Sequence, residues 1–143
     1  MDRSRGGLTT KIHALTNEKG LPLKIVLTPG TTHDLIPAKE LLSDIGQDMF
    51  VLADKAFDAD WLRRFIWEKG SIDVIPYKAN RKCPGDFDKE TYRKRNAVER
   101  FFGRIKKSFR RIATRYDKYS THFFAMIQLA SIRLWAKFYE STT

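Results

Sequence analysis

The chain opens on two alternating runs. In residues 8–15, Thr10, Ile12 and Ala14 fall on one side and Lys11 and His13 on the other, the period of two expected of a half-buried strand. Asn17-Glu18-Lys19-Gly20 is turn chemistry, and the alternation resumes in residues 22–28 through Leu23, Ile25 and Leu27. Two such runs around a short polar turn predict an antiparallel hairpin. Pro29-Gly30 ends it. Residues 34–43 read as a short helix with Pro37 in its first turn, Asp34 as its cap and Gly46 beyond its end. Residues 49–53, MFVLA, are continuously apolar, the mark of a strand buried on both faces, and stop at Asp54. Asp58 is placed to cap a helix over residues 59–69 that carries Trp61, Leu62, Phe65 and Ile66 and closes at Gly70. Residues 72–75 form a further strand, ended by Pro76.

A basic loop over residues 77–88 leads into a long helix predicted over residues 91–111. At about 100° per residue, Val98, Phe101, Phe102, Ile105 and Phe109 form an apolar stripe. Tyr92, Arg95, Glu99 and Lys106 form a narrow second stripe beside it, and Arg93, Arg100, Arg104, Lys107 and Arg111 occupy the far side. After a connector, IATRYDK, Ser120 caps a last helix to about Tyr139. That helix is apolar almost all round (Phe123, Phe124, Ile127, Leu129, Leu134, Trp135, Phe138) and is expected to be buried. The order of strands and helices indicates an α/β fold with a mixed sheet flanked by helices, in a single domain over residues 1–143. Residues 1–7 are polar and glycine-containing and are expected to be irregular.

Charge changes the picture. The 143 residues carry a net +10. Residues 1–77 hold 10 Lys/Arg against 11 Asp/Glu, residues 78–118 hold 15 against 5, and residues 119–143 add +1. The excess therefore sits around the Glu99 helix. A basic block that local is the footprint of a polyanion, most simply nucleic acid, against the plain alternative of a solvated charged face. No apolar run suggests a membrane span and MDRSRGG is no signal peptide. The lone Cys83 makes no internal disulfide, which fits a reducing, cytoplasmic setting. Three scattered histidines and one cysteine make no zinc pattern.

Two carboxylates stand out. Asp54 ends a strand, where open α/β sheets place their binding crevice; Glu99 sits where apolar stripe meets cationic face. Each has a plain reading, as a turn aspartate and as a surface partner of Arg95. Together they suit phosphodiester chemistry, in which carboxylates converge on paired divalent ions, and oxygen-only ligands select Mg²⁺ or Mn²⁺. Arg93, Arg100, Arg104 and Lys107 read as DNA-backbone contacts, which position without reading sequence. His33 has a lesser case for a metal or DNA role, and His13, on the polar face of a strand, has none.

Tyr92-x2-Arg95-x3-Glu99-x6-Lys106 resembles the Tyr-Arg-Glu-Lys signature of bacterial insertion-sequence transposases of the DDE type. RSRGGLTTKIHAL and VLADKAFDAD resemble the same family. The resemblance implies a ribonuclease-H-like fold and metal-dependent DNA cleavage and strand transfer at transposon ends. It implies Asp54 and Glu99 as the second and third catalytic, metal-holding carboxylates. Tyr92, Arg95 and Lys106 are then contacts to DNA near the scissile phosphate. It further implies a homo-oligomer acting on terminal inverted repeats within the nucleoid. The family's first aspartate lies on a central strand ahead of the segment matching RSRGGLTTKIHAL, and Asp2, in a basic leader, is not its equivalent. The expectation is a domain lacking that strand and inactive alone, with an upstream reading-frame product supplying the first Asp. The alternatives are a basic DNA-binding fragment without chemistry and a structure-specific nuclease on the same fold.

Overall fold

A computed structural model describes residues 10–116 and 120–142, with side chains for residues 10–107 and 124–141. The strands are β1 (Thr10–Thr16), β2 (Pro22–Pro29), β3 (Phe50–Leu52) and β4 (Ile72–Val74). The helices are α1 (Ala38–Leu41), α2 (Asp60–Glu68), α3 (Lys89–Tyr92), α4 (Asn96–Tyr116) and α5 (Ser120–Thr142), with 3-10 turns at Lys55–Phe57 and Arg93–Arg95. Contacts group the chain into two units, one of residues up to Thr32 together with Ala97 onward, the other His33–Asn96. The irregular stretch expected over residues 1–7 lies outside the described residues, as does Asp2.

In the first unit the hairpin forms as its alternation requires. Ile12 pairs with Leu27 and Ala14 with Ile25, with a register shift at Leu15/Thr16. The turn is built by Asn17, whose Oδ1 accepts the backbone N–H of Lys19 and of Leu21 at 3.0 Å each. Such side-chain bonding to the backbone two and more residues on is why asparagine favours turns. Gly20 adopts φ +78°, and a Cβ there would lie 2.8 Å from the Ala97 carbonyl oxygen. The turn can therefore approach the first residues of α4 only as glycine.

Phe101, fully buried, Ile105 and Ala130 form the core, against which Ala14, Ile25, Phe102, Met126 and Leu134 pack. Trp135 donates its indole N–H to the Pro22 carbonyl at 2.9 Å, tying α5 to β2. The expectation that α5 is buried all round needs correcting. Ile127, Ala130 and Ser131 are buried, whereas Leu129 and Ile132 are 65% and 64% exposed. A hairpin and one helix offer apolar surface to a single side of α5.

In the second unit β3 and β4 pair in parallel, Leu52 opposite Val74. The expectation of a strand buried on both faces also fails: Val51 is buried but Phe50 is 58% exposed. The cause is the sheet itself. Among the described residues the strands join as β1–β2 and β3–β4, two two-stranded sheets in place of one mixed sheet. The architecture is mixed α/β with small sheets and flanking helices. Leu62 and Ile66 of α2 are buried, and α2 ends in a Schellman arrangement. Ser71 N–H bonds Ile66 O at 3.2 Å and Gly70 N–H bonds Trp67 O at 2.9 Å, with Gly70 at φ +80°.

Three helix expectations change. The helix read over residues 34–43 contracts to four residues, with Pro37 in place of Asp34 at its N-cap. The preceding turns instead use His33, whose Nδ1 accepts the Leu35 N–H at 3.3 Å. The helix read over residues 91–111 starts earlier and is interrupted. Asp88 caps α3 through Glu90 and Thr91 N–H, Arg93–Arg95 tightens to a 3-10 turn, and α4 resumes at Asn96. Three successive cations followed by Asn96 give this stretch little of the side-chain support that lengthens an α-helix. The connector expected after Arg111 is helical as far as Tyr116. No helix among the described residues is long and apolar enough to cross a membrane.

Gly20→Ala should lower stability by roughly 1–3 kcal/mol, since both the backbone and the approach to Ala97 are violated. Gly46→Ala, with nothing within 4 Å of its added methyl, should leave it unchanged. Urea midpoints of the two variants check this, and equal midpoints would show that the turn yields.

Candidate functional site

Asp54 follows β3 and starts the Lys55–Phe57 turn, its Oδ1 accepting the Ala56 N–H at 2.9 Å. The plain role, a turn cap, is thus filled, and the half-buried side chain stays at the strand's carboxyl end. Glu99 lies in the first turn of α4 and is exposed, as are Arg100, Arg104, Lys106 and Lys107. Acid in a helix's first turn is favoured by the helix dipole. Arg100 also donates to the Glu18 carbonyl at 3.2 Å, so it steadies the hairpin turn as well as adding charge. The apolar reading of Phe101 holds; Phe109 and Arg111 carry no described side chain.

Tyr92 ends α3 and Arg95 lies on the 3-10 turn after it. The Arg95 guanidinium sits 5.6 Å from the Tyr92 ring centre, and Phe87 meets that ring edge-on at 5.5 Å. The signature residues are therefore not on one uninterrupted helix: Glu99 and Lys106 share α4, while Tyr92 and Arg95 form a cation–π pair ahead of it. Asp88, which caps α3, has its carboxyl held below the usual range by the Thr91 hydroxyl and then by backbone N–H groups.

His13, read as facing the polar side, is buried and shares a 2.6 Å hydrogen bond with the Thr28 hydroxyl. Asp54 and Glu99 offer hard oxygen donors of the kind a divalent cation takes. Among the described residues, however, no three His, Cys, Asp or Glu side chains gather to hold a metal. The chemistry of these two carboxylates fits such an ion, which would need further donors beside them.

A dense charged cluster escaped the sequence reading. Asp58, read as a helix cap, makes no cap bond to α2, whose N-cap is Ala59. Its side chain is fully buried and its Oδ1 accepts from Arg63 Nη2 at 2.8 Å and Arg81 Nη2 at 2.7 Å. Oδ2 accepts from Arg81 Nε at 2.9 Å and from the Lys78 backbone N–H at 2.7 Å. Arg63, itself buried, also reaches Asp73 and donates to the Ile75 carbonyl at 3.0 Å. Its guanidinium lies 3.8 Å from the centre of the Tyr77 ring, with that of Arg81 at 5.3 Å. One signal was available: Arg63 stands beside Leu62 and Ile66 on the apolar side of α2, where a cation needs a partner.

Burial alone would raise the Asp58 pKa, but bonds from Arg81, the Lys78 N–H and Arg63 outweigh it and bring it down to about 2. Asp58 and Asp60 in turn raise that of Arg81.

The family model for the transposase DDE domain matches residues 2–135, a range that holds Asp54, Tyr92, Arg95, Glu99 and Lys106. A Brucella ovis protein that carries the name of the transposase for insertion sequence element IS6501 is 37% identical over 131 residues, spanning 91% of this chain and 100% of that protein. No solved structure matches the chain.

The Asp58 pKa falls from 3.8 to about 2 on folding. A group depressed in the folded state stabilises fully above its unfolded value and loses that contribution as pH drops through its folded one. Asp58 should therefore supply roughly 2 kcal/mol, lost between about pH 4 and pH 2. Arg63 and Arg81 face it, with Asp73 and Asp60 beyond them as their further partners. Asp58→Asn should flatten the acid limb of stability against pH while lowering the plateau. An unchanged acid limb would place the titration elsewhere.

Proposed function

The chain belongs to the transposase DDE-domain family and is an insertion-sequence transposase, an enzyme whose substrate is DNA; from that premise we propose metal-dependent cleavage and strand transfer at transposon ends as its reaction. The observation that carries the reading is the family match across the range that holds Asp54 and the whole Tyr-Arg-Glu-Lys signature. Asp54 at a strand end and Glu99 on an exposed first turn are the carboxylates that would hold Mg²⁺ or Mn²⁺. A bound divalent ion would supply Lewis-acid polarisation of the scissile phosphate and a nucleophilic water or hydroxyl.

The remaining roles follow from charge and placement. Lys106, two turns after Glu99 on α4, offsets charge developing on the transferring phosphate. Arg95, held over the Tyr92 ring, presents a guanidinium partly placed in advance, which lowers the entropy lost on gripping a phosphate. Arg100, Arg104 and Lys107 grip backbone and fix register. The remaining carboxylate, the family's first aspartate, would be supplied by an upstream polypeptide, and the assembly on terminal inverted repeats is a homo-oligomer. A ribonuclease-H-like arrangement is the fold in which this chemistry takes place.

The isolated chain should show no Mg²⁺- or Mn²⁺-dependent nicking of terminal-repeat DNA. Adding the upstream polypeptide, in trans or as a fusion, should restore it. In that complete assembly, Asp54→Asn or Glu99→Gln should lower cleavage at least about a hundredfold with DNA binding intact. Retained cleavage in either variant would assign the chemistry to other residues, and nicking by the isolated chain that is lost on Asp2→Asn would make Asp2 the third ligand.

Replacing Arg100 and Arg104 by Ala should flatten the slope of log K against log salt by about 2, at about 0.9 per phosphate. All sequences should weaken alike. Because Arg100 also holds the hairpin turn, melting temperature is followed in parallel. Loss for one sequence alone would mean that this face reads bases.

A further inference from the structure

We propose that the turn Lys78–Arg81, held at both ends by the buried Asp58 carboxylate, is a second DNA-backbone contact of this enzyme, with Arg81 its positioning residue. The inference rests on the reading above that the substrate is DNA, and it adds a contact in the His33–Asn96 unit to that of α4.

The turn is unusually well fastened for an exposed polar segment. Its own closing bond runs from the Arg81 N–H to the Lys78 carbonyl at 3.2 Å. Asp58 then takes the Lys78 N–H at one end and the Arg81 fork at the other. Arg81 reaches outward as well, to the 80% exposed Asp60 at 2.8 Å. Behind the turn, the Tyr77 ring faces Arg63 on one approach and Arg81 on another. The chain then returns so closely over Tyr77 that a Cβ on Gly85 would lie 2.7 Å from the Tyr77 hydroxyl oxygen. Ala79 and Asn80 at the apex are exposed.

The cations divide into two kinds. Arg63 and Arg81 are consumed by Asp58, Asp60 and Asp73. Lys78 and Lys82 bracket the turn and take no part in that balance; Lys82 is exposed and Lys78 half-buried. A turn needing only to be stable would be served by the ion pairs alone. Two further cations on a rigid, small-residue apex suit a phosphate backbone, because a loop ordered in advance binds without losing conformational entropy.

The test is a double-mutant cycle on the full chain, read as the salt slope of binding to a duplex of random sequence. Lys78→Ala with Lys82→Ala should flatten the slope by about 2. Arg81→Lys keeps net charge but removes the two-pronged grip on Asp58. It should itself flatten the slope, and in its background the two lysine substitutions should add little. Urea unfolding of each variant separates a released turn from an unfolded unit. Should Arg81→Lys not fold, Ala79→Gly, which loosens the exposed apex without changing charge, is read in its place with the same expectation, to a smaller degree. An unchanged slope in the lysine double variant, with the Arg100 and Arg104 effect present, overturns the proposal while leaving DNA binding by α4 intact. Equal lysine effects in both backgrounds overturn the positioning role of Arg81. Absence of DNA binding by the parent chain would instead remove the reading on which the proposal rests.

Discussion

A carboxylate without water sets the terms for the His33–Asn96 unit. Moving an ionised aspartate out of solvent costs several kcal/mol unless its lone pairs find donors and its charge finds a partner. Asp58 meets that demand with two guanidinium groups and a backbone N–H, drawn from α2 and from the loop after β4. Few long apolar side chains are available here to define where that loop goes. The requirement of one buried charge defines it instead, fixing Tyr77, Lys78 and Arg81 together and passing through Arg63 to Asp73 on β4. Pairs of this kind add little net stability over an apolar replacement. What this one contributes is a single allowed path for a polar segment.

The other unit is specified by ordinary burial. A two-residue period faces Ala14 and Ile25 onto Phe101 and Ile105, and the indole of Trp135 bonds the hairpin backbone. Gly20 and Asn17 supply the one shape of turn that lets the hairpin lie against the start of α4. The cationic face of α4 is left exposed by that packing, since the apolar stripe carrying Phe101 and Ile105 takes the opposite side.

The elements legible in the sequence were those encoded within a few residues. The hairpin, its Asn17–Gly20 turn and the Gly70 stop of α2 all depend on neighbours in the chain. So does the apolar stripe of α4. What escaped depended on distance or on context. An aspartate just ahead of a helix is locally a good cap, and nothing within ten residues of Asp58 points to Arg81, 23 positions on. A run such as MFVLA looks doubly buried, yet Phe50 is exposed in a sheet that has two strands among the described residues. Helical arithmetic placed Tyr92 and Arg95 in line with Glu99. The 3-10 turn winds about 120° per residue against about 100° for an α-helix, so that line is broken at Arg93–Arg95. Within the candidate site, the identity of the signature residues was legible and their helical continuity was not.

The closed charge balance around Asp58 also constrains how this sequence can drift. Loss of one member leaves a buried charge without its partner, at about 3–5 kcal/mol, a large part of the 5–15 kcal/mol that keeps a typical domain folded. Single steps away from Asp58, Arg63 or Asp73 are therefore steps toward unfolding, and only a second, matching change restores what the first removes. Such positions move as a block or stay put. Lineages that diverge freely at Leu129 or Ile132 should keep this group of charges together, or exchange it whole for apolar side chains of similar volume.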